Sequence, residues 1–233
     1  MGKDDVKQAD LVNQELIDKV KVYDGRGLYF FNLSRDIREK LRDEHVITII
    51  DNHFNADEVA AISLRGCVGI TDATLVHIAT NCTQLEELYG VPGCKKITDD
   101  GITAIVEKIG NNLKLLDYSD CNRCTDAALQ AVVKHCPNLK GLYAWNTGIT
   151  HIPDSIGTDL PKLKRLWLNN NRIERLPPSI TNLANTLEYF DISDNPLQHP
   201  PLEIAEQGMD AISEYFTSNE RGTFDVVNNS DPQ

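Results

Sequence analysis

Apolar residues recur along this chain in one frame that returns every 24 to 28 residues. The clearest copy is Leu163–Ile173, and the same frame returns at Leu187–Leu197. Apolar and polar residues alternate in the middle of each copy, which predicts a short strand with one buried face. The equivalent central positions of the six copies are Ile62, Leu88, Leu116, Leu142, Leu166 and Phe190. Because such a unit buries its apolar side only by stacking on its own copies, the frame predicts a solenoid over residues 59–200.

The segments that connect the predicted strands change character along the chain. After the first three copies, Thr71, Thr98 and Thr125 precede amphipathic stretches and are placed to cap helices. The next two copies continue with Ile152-Pro and Leu176-Pro-Pro instead. Proline lacks an amide donor and discourages a full helix. We therefore expect helices beside the first strands and short irregular or 3-10 segments beside the later ones.

Residues 1–58 lie outside the repeat frame, and we expect them to form a largely helical cap over the first repeat. Apolar residues from Val6 to Val20 recur at helical spacing, and Ser34 is placed to cap a second helix over residues 35–44. The apolar run Val46–Ile50 is typical of a strand. A separate small functional module is the alternative to a cap.

The other end of the repeats is also expected to be capped. Met209, Ile212 and Phe216 fall at helical spacing, which predicts a capping helix within residues 201–216 that seals the last repeat. Residues 217–233 are polar, and we expect a flexible tail there.

Cysteine closes the frame in the first three copies, at Cys67, Cys94 and Cys121, and Ile-Thr-Asp or a variant follows each of them. Two of the helical stretches end in a second cysteine, at Cys82 and Cys136. This pattern resembles the cysteine-containing leucine-rich repeats that are familiar from the substrate receptors of ubiquitin ligases. The resemblance implies an α/β fold, a right-handed leucine-rich-repeat solenoid. Its curved parallel sheet would form the concave face, with helices or 3-10 segments on the convex face.

The later copies resemble the shorter repeats with a Leu-Pro-x-x-Ile segment. Residues 195–216 resemble the repeat ending that precedes the GTPase module of Roco-type proteins. In such repeats, Asn171 and Asn195 are expected to hydrogen-bond the backbone of the neighbouring coil. No Gly-x-x-x-x-Gly-Lys-Ser/Thr motif occurs in the chain, so no GTPase activity is expected. Residues 1–58 also contain no F-box-like stretch, which argues against a ubiquitin-ligase subunit.

One cysteine pair has the spacing of a zinc or redox motif, Cys121-Asn-Arg-Cys124. Cys121 shares its frame position with Cys67 and Cys94, however, and Cys124 shares its position with Ile70. Both thiols are therefore predicted to pack in the core as small apolar groups. A second Cys-x-x-Cys and a metal-binding histidine spacing are both missing, so we expect no metal, no cofactor and no catalytic residue. An enzyme that uses Cys121 or Cys124 is the alternative.

The charge of the chain limits the class of partner. Its net charge is −12, which argues against nucleic acid, since phosphate binding needs clustered Lys and Arg. No apolar run approaches the ~18 residues that a membrane span needs. The charged start, Met1–Lys7, is not followed by an apolar segment, so no secretory signal is expected. Together with cysteines predicted to be reduced, these features predict a cytoplasmic, intracellular protein.

The residues that alternate with the buried strand positions should form the concave surface. The candidates for protein binding are Tyr89, Asp117, Tyr143, Trp145, Arg165, Trp167, Asn169, Tyr189 and Asp191, with Ser119 and Ser193 on the same face. Both tryptophans of the chain belong to this set. Exposed Trp, Tyr and Arg are the residue types that dominate interaction hot spots.

These patterns predict a non-catalytic protein–protein interaction module that binds a protein partner on the concave face of the solenoid. Two further hypotheses remain compatible with the sequence. One is the substrate-recognition subunit of a ubiquitin ligase, in which residues 1–58 would contact an adaptor. The other is a microbial effector that acts on a host protein.

Overall fold

The computed structural model describes residues 13–20, 26–90 and 93–228. Within these ranges it confirms the solenoid, because all strands lie in one parallel sheet in chain order. The seven strands have three residues each: β1 Gly27–Tyr29, β2 Ala61–Ser63, β3 Glu87–Tyr89, β4 Leu115–Asp117, β5 Gly141–Tyr143, β6 Arg165–Trp167 and β7 Tyr189–Asp191. The sheet thus has one strand more than the six copies of the frame predict, and the additional strand is β1.

The strands pair in the register that the frame predicts. The middle residues of successive strands are direct neighbours, from Leu28 and Ile62 at one end to Leu166 and Phe190 at the other. The first six of these side chains are fully buried, and Phe190 is partly buried against the same core. The hydrophobic core is therefore one continuous column behind the sheet.

The N-terminal region is a further coil of the solenoid rather than a separate body. It contains α1 Gln14–Val20, α2 Arg35–Lys40 and α3 Asp43–His53, with 3-10 turns at Phe30–Asn32 and Ala56–Glu58. Its strand β1 pairs with β2 in the same parallel register that joins the later strands.

Two predictions for this region were wrong. Val46–Ile50 lies within helix α3, where Val46, Ile49 and Ile50 are buried at the i, i+3, i+4 spacing of a helix face. The helix expected over residues 35–44 is broken, because the backbone of Leu41 is extended. Ser34 stands at the N-cap of α2, but its side chain makes no capping hydrogen bond. Of the helix predicted over Val6–Val20, the structure describes α1 Gln14–Val20. Residues 6–12 lie outside the described residues.

The convex side confirms the predicted change from helices to short segments. The first three connections are helices: α4 Asp72–Asn81, α5 Asp99–Ile109 and α6 Asp126–His135. The hydroxyls of Thr71, Thr98 and Thr125 each accept a hydrogen bond from an amide in the first turn of the following helix, as expected for N-caps. The next two connections are the four-residue α7 Ile156–Asp159 and the 3-10 helix Pro178–Leu183.

The C-terminal end is closed by α8 Leu202–Ala205 and α9 Met209–Asn228. Ile212 is fully buried, and Met209 and Phe216 pack against the core. The helix extends beyond Phe216, so residues 217–228, which we expected to belong to a flexible tail, continue it. Residues 229–233 lie outside the described part of the chain.

A polar ladder joins the later coils where each strand turns away from the sheet. Asn171 Nδ2 donates to the carbonyl oxygens of Ala144 at 2.8 Å and Leu168 at 3.0 Å, and its Oδ1 accepts from the amide of Thr147 at 3.1 Å. Asn195 makes equivalent hydrogen bonds one coil later. The expected role of both asparagines is confirmed.

In the earlier coils, cysteine takes the place of these asparagines. The thiol of Cys94 lies 3.2 Å from the carbonyl oxygen of Cys67, and the thiol of Cys121 lies 3.7 Å from that of Cys94. None of the six cysteines forms a disulfide bond, and all six, including Cys124, are fully buried. The Cys-x-x-Cys spacing is therefore a packing feature, as its frame position predicts.

Candidate functional site

The third residue of each strand faces the concave side, and these residues form one continuous row. This concave row consists of Tyr29, Ser63, Tyr89, Asp117, Tyr143, Trp167 and Asp191. In the pairing register, Asp117 is opposite Tyr143, Tyr143 is opposite Trp167, and Trp167 is opposite Asp191. The alternation of the strands thus brings aromatic rings and carboxylates to adjacent positions on one surface.

Part of the concave row lines a groove of about 540 Å³, the concave groove. Its lining residues are Arg65, Tyr89, Leu115, Asp117, Tyr143, Trp145, Trp167, Asn169 and Asp191. Seven of the nine predicted binding residues are among them. Arg165 and Tyr189 lie outside the groove, where the Arg165 guanidinium carbon is 5.9 Å from the centre of the Tyr189 ring. That distance is typical of a cation–π contact.

Aromatic side chains form the centre of the groove. The rings of Tyr143 and Trp167 meet edge to face, with centroids 5.0 Å apart and an interplanar angle of 85°. This is a favoured geometry for aromatic pairs. Trp167 is 40% exposed, although it is a large apolar side chain, whereas Trp145 is partly buried. The Trp167 indole is therefore held by its contact with Tyr143, and both indoles line the groove.

Two carboxylates lie at opposite ends of this aromatic pair. Asp117 Oδ1 accepts a hydrogen bond from the amide of Ser119 at 3.1 Å. Asp191 Oδ1 accepts from the amide of Ser193 at 3.0 Å and from its hydroxyl at 2.6 Å. Each carboxylate is thus oriented by the chain two residues further on. Ser119 itself is fully buried, so its expected place on the surface was wrong.

The electrostatic environment of Asp117 is unfavourable to its charge. Burial raises the pKa of Asp117, and hydrogen bonds from Ser119 together with the charge of Arg65 compensate only in part. The pKa therefore lies above its ordinary value. A cationic group bound next to Asp117 would stabilise the ionised carboxylate, as hydration stabilises a carboxylate that is exposed to solvent.

A second depression, of about 570 Å³, adjoins the groove on its N-terminal side. It is lined by Tyr29, Arg38, Ser63, Arg65, Tyr89, Gly90 and Asp117. The rings of Tyr29 and Tyr89 meet edge to face, with centroids 6.2 Å apart. Tyr29 and Arg38 come from residues 1–58, so this region contributes to the concave surface.

The sequence reasoning missed Arg65, Tyr29 and Leu115 as lining residues. Arg65 lies two residues after β2, as Trp145 does after β5, so extending the alternation to the first copy identifies it. No sequence pattern indicated that Tyr29 faces this surface, because its short strand β1 lies outside the repeat frame.

The described residues contain neither a metal-binding group nor a membrane-spanning helix. No three side chains of His, Cys, Asp or Glu come together there in a group suited to a metal ion. Of the helices in the same ranges, none combines the length and apolar content needed to cross a membrane.

Comparison with known proteins agrees with this architecture. Residues 137–185 match the family model of leucine-rich repeats, described as two copies. Comparison with curated proteins finds no match.

Several solved structures are partly similar to this chain. One is a chain of the Rad7–Elc1 complex of yeast, which is 20% identical over 68% of this chain and 38% of its own length, with a TM-score of 0.49. Another is the TLR13–ssRNA13 complex, at 20% identity over 78% of this chain and 24% of that one, with a TM-score of 0.48. A leucine-rich-repeat protein of Leptospira interrogans is 15% identical over 76% and 50% of the two chains, with a TM-score of 0.39. This chain spans less than two thirds of the length of each of them.

Proposed function

We propose that this leucine-rich-repeat solenoid is a non-catalytic recognition module that holds a protein partner against its concave groove. The observation that carries the proposal is the arrangement of Tyr143, Trp145 and Trp167 in that groove. Trp and Tyr are enriched among the residues that dominate binding energy. A groove that displays both tryptophans of the chain has the composition of an interface centre.

The geometry of the aromatic residues supports tight recognition. Trp167 and Tyr143 lie on adjacent strands of a sheet that is packed on its core, and their rings already contact each other. Little side-chain freedom is lost when such residues bind, which reduces the entropic cost of association. Asp117, Asn169 and Asp191 would supply polar selectivity, and Arg165 with Tyr189 would extend the contact area beyond the groove.

Two features weigh against the alternatives. Cys121 and Cys124 are fully buried, whereas a catalytic thiol must reach its substrate. Residues 27–58 form a coil that is continuous with the repeats, so an adaptor-binding module would have to share that coil. Six free thiols fit a reducing, intracellular compartment, and a net charge of −12 disfavours nucleic acid as the partner.

The test is affinity capture from cell extract with the double variant Trp145→Ala, Trp167→Ala, followed by mass spectrometry. Loss of two central anchors should weaken partner capture by at least about 30-fold, since each hot-spot truncation costs on the order of 2 kcal/mol. Val76→Ala is the matched control, because Val76 on convex helix α4 is 47% exposed and also loses apolar surface. Unchanged capture by a double variant that retains the wild-type thermal unfolding midpoint would reject this site.

A further inference from the structure

We infer that the concave groove recognises an extended peptide segment with two basic side chains four residues apart and an apolar side chain midway between them. This inference rests on the proposed function and names the chemistry of the partner. It follows from the order of four residues in the concave row, Asp117, Tyr143, Trp167 and Asp191, which occupy four adjacent strands.

Three of the polar groups that line the groove can accept hydrogen bonds, and no described side chain donates to them from across the groove. Asp117 and Asp191 are carboxylates, and Asn169 Oδ1 is buried and accepts no hydrogen bond from any described residue. Buried acceptors without donors are uncommon in folded proteins, because each loses its hydration without compensation. A ligand rich in N–H donors would satisfy the two carboxylates, which line the groove.

Neither carboxylate forms an ion pair with a cationic side chain of the described residues. Among the ion pairs formed within 4.0 Å by the described residues, none includes Asp117 or Asp191. Arg65 lines the groove, but its exposed guanidinium lies beyond that distance from Asp117. Elsewhere on the same sheet, Lys114 and Lys164 pair with neighbouring glutamates at 2.6 Å. The groove thus holds two carboxylates that no described side chain pairs with directly, and both line a surface open to a ligand.

Aromatic faces next to a carboxylate suit a Lys or Arg side chain in particular. The methylene stem of such a side chain packs on a ring, while its charged end reaches the carboxylate. Asp117 has Tyr143 on the next strand, and Asp191 has Trp167 on the preceding one. Each carboxylate therefore has an aromatic ring beside it. Both rings lie between the two carboxylates in the concave row.

The spacing of the row sets the spacing of the ligand. Neighbouring strands lie about 4.8 Å apart, so three intervals separate Asp117 from Asp191 by roughly 14 Å. An extended peptide advances about 3.3 Å per residue, so about four residues cover this distance. Residues four apart in an extended chain point to the same side, as does the residue midway between them. That middle residue would lie over the contact between Tyr143 and Trp167, where an apolar side chain fits.

The test uses synthetic peptides and the indole N–H signals of the two tryptophans in ¹H–¹⁵N spectra. The probe is the capped peptide Gly-Lys-Ser-Leu-Ser-Lys-Gly. The controls are a permuted peptide with adjacent lysines, one with glutamate for both lysines, and one with norleucine for both. The probe should shift both indole signals saturably, and each control peptide should bind at least about tenfold more weakly. Equal binding of the permuted, glutamate or norleucine peptide, or no binding of the probe, would overturn the inference.

Variants then separate this inference from the proposed function. Asp117→Asn and Asp191→Asn should each weaken the probe about tenfold, since asparagine keeps the oxygen that accepts from Ser119 or Ser193 but removes the charge. Glu107→Gln on convex helix α5 removes the same charge away from the groove and should leave binding unchanged. If the double tryptophan variant loses partner capture while Asp117→Asn and Asp191→Asn retain it, the basic-peptide inference fails and the proposed site stands. If the double tryptophan variant retains capture, both fail.

Discussion

The carboxylate of Asp99 accepts hydrogen bonds from the amide of Thr125 at 2.7 Å and from its hydroxyl at 2.8 Å, although 26 residues separate them. The two residues mark the starts of helices in adjacent coils, α5 and α6. The same contact joins four successive pairs, Asp43–Thr71, Asp72–Thr98, Asp99–Thr125 and Asp126–Thr150. We call this set the Asp–Thr ladder.

The ladder gives Thr71, Thr98 and Thr125 two functions each. Thr125 caps its own helix through its hydroxyl oxygen, and it donates its amide and hydroxyl hydrogens to the preceding coil. The ladder starts at Asp43 in helix α3, so it ties the N-terminal coil to the repeats. It ends at Thr150, where the segment that begins with Ile152-Pro holds only the four-residue helix α7. We therefore expect the ladder to couple the unfolding of the first five coils.

The first prediction is that Asp99→Ala destabilises the whole solenoid. The substitution removes the acceptor for Thr125 and for the amide of Ala128, which lies 3.1 Å from Asp99 Oδ1. Hydrogen bonds to charged groups contribute about 1.5–3 kcal/mol each, but this site is partly exposed, so we expect a loss of about 2 kcal/mol. Urea unfolding at pH 7 measures it.

Asp100→Ala is the matched control for this prediction. Asp100 lies in the same first turn and interacts with the same helix dipole, but it is exposed and outside the ladder. Its loss should cost less than about 1 kcal/mol. Equal destabilisation by the two substitutions would show that the ladder contributes nothing beyond the dipole.

Much of the repeat architecture could be predicted from the sequence, because each coil repeats one local pattern. The outward position of Trp167 followed from its place between Leu166 and Leu168, both of which are fully buried. The strand predicted at Val46–Ile50 failed for a physical reason. A short apolar run is compatible with either a strand or a buried helix, and the i, i+3, i+4 spacing that decides it spans only one turn.

Other features depend on contacts that no single coil encodes. The role of Asp99 was not predictable, because its partner Thr125 lies in the next coil and an aspartate at a helix start has an ordinary local explanation. The buried environment of Asp117 likewise arises from neighbouring strands. Most lining residues of the concave groove were predicted, but Arg65 was not, because the frame is weak in its coil. Tyr29, in the adjoining depression, lies on a strand outside the frame.

The second prediction concerns acid. Burial raises the pKa of Asp126, but hydrogen bonds from His151 and Thr150 outweigh burial, and the pKa lies below its ordinary value of 3.8. Burial also opposes ionisation of Asp43, and hydrogen bonds from Thr74 and Thr71 again lower its pKa overall. A carboxyl with a lowered folded-state pKa stabilises the fold above its unfolded-state pKa, and this contribution disappears as pH falls through the folded-state value. The thermal midpoint should therefore fall as pH drops below about 4.

Variants with opposite expected effects on stability test whether these carboxylates cause the acid dependence. The double variant Asp43→Asn, Asp126→Asn should have a lower midpoint at pH 7 and a shallower decline between pH 5 and pH 3 than the wild type. Asp117 has a raised pKa, so its protonation favours the folded state, and Asp117→Asn should stabilise the protein most at neutral pH. A double variant whose midpoint declines in acid as steeply as that of the wild type would contradict the role of the ladder carboxylates.

The third prediction is that the native protein resists thiol reagents. Burial raises the pKa of Cys67, Cys82 and Cys136 to about 12 in each case. A hydrogen bond with Cys124 and burial also raise the pKa of Cys121. Because the thiolate is the reactive form and these thiols are enclosed by the core, labelling requires unfolding. In native buffer at pH 7.5, we expect labelling by a disulfide reagent at less than about 1% of the rate in 8 M urea.

The same experiment decides between a recognition module and a thiol enzyme. Mass spectrometry of the labelled protein identifies which cysteine reacts first, and the urea-unfolded sample, in which all six should react, is the control. Slow reaction of Cys121 and Cys124, at a rate that rises with urea in step with global unfolding, is expected of core residues. Fast reaction of either one in native buffer would show that the Cys-x-x-Cys segment opens to solvent. In that case, its chemistry rather than its packing would explain why two cysteines occupy these positions.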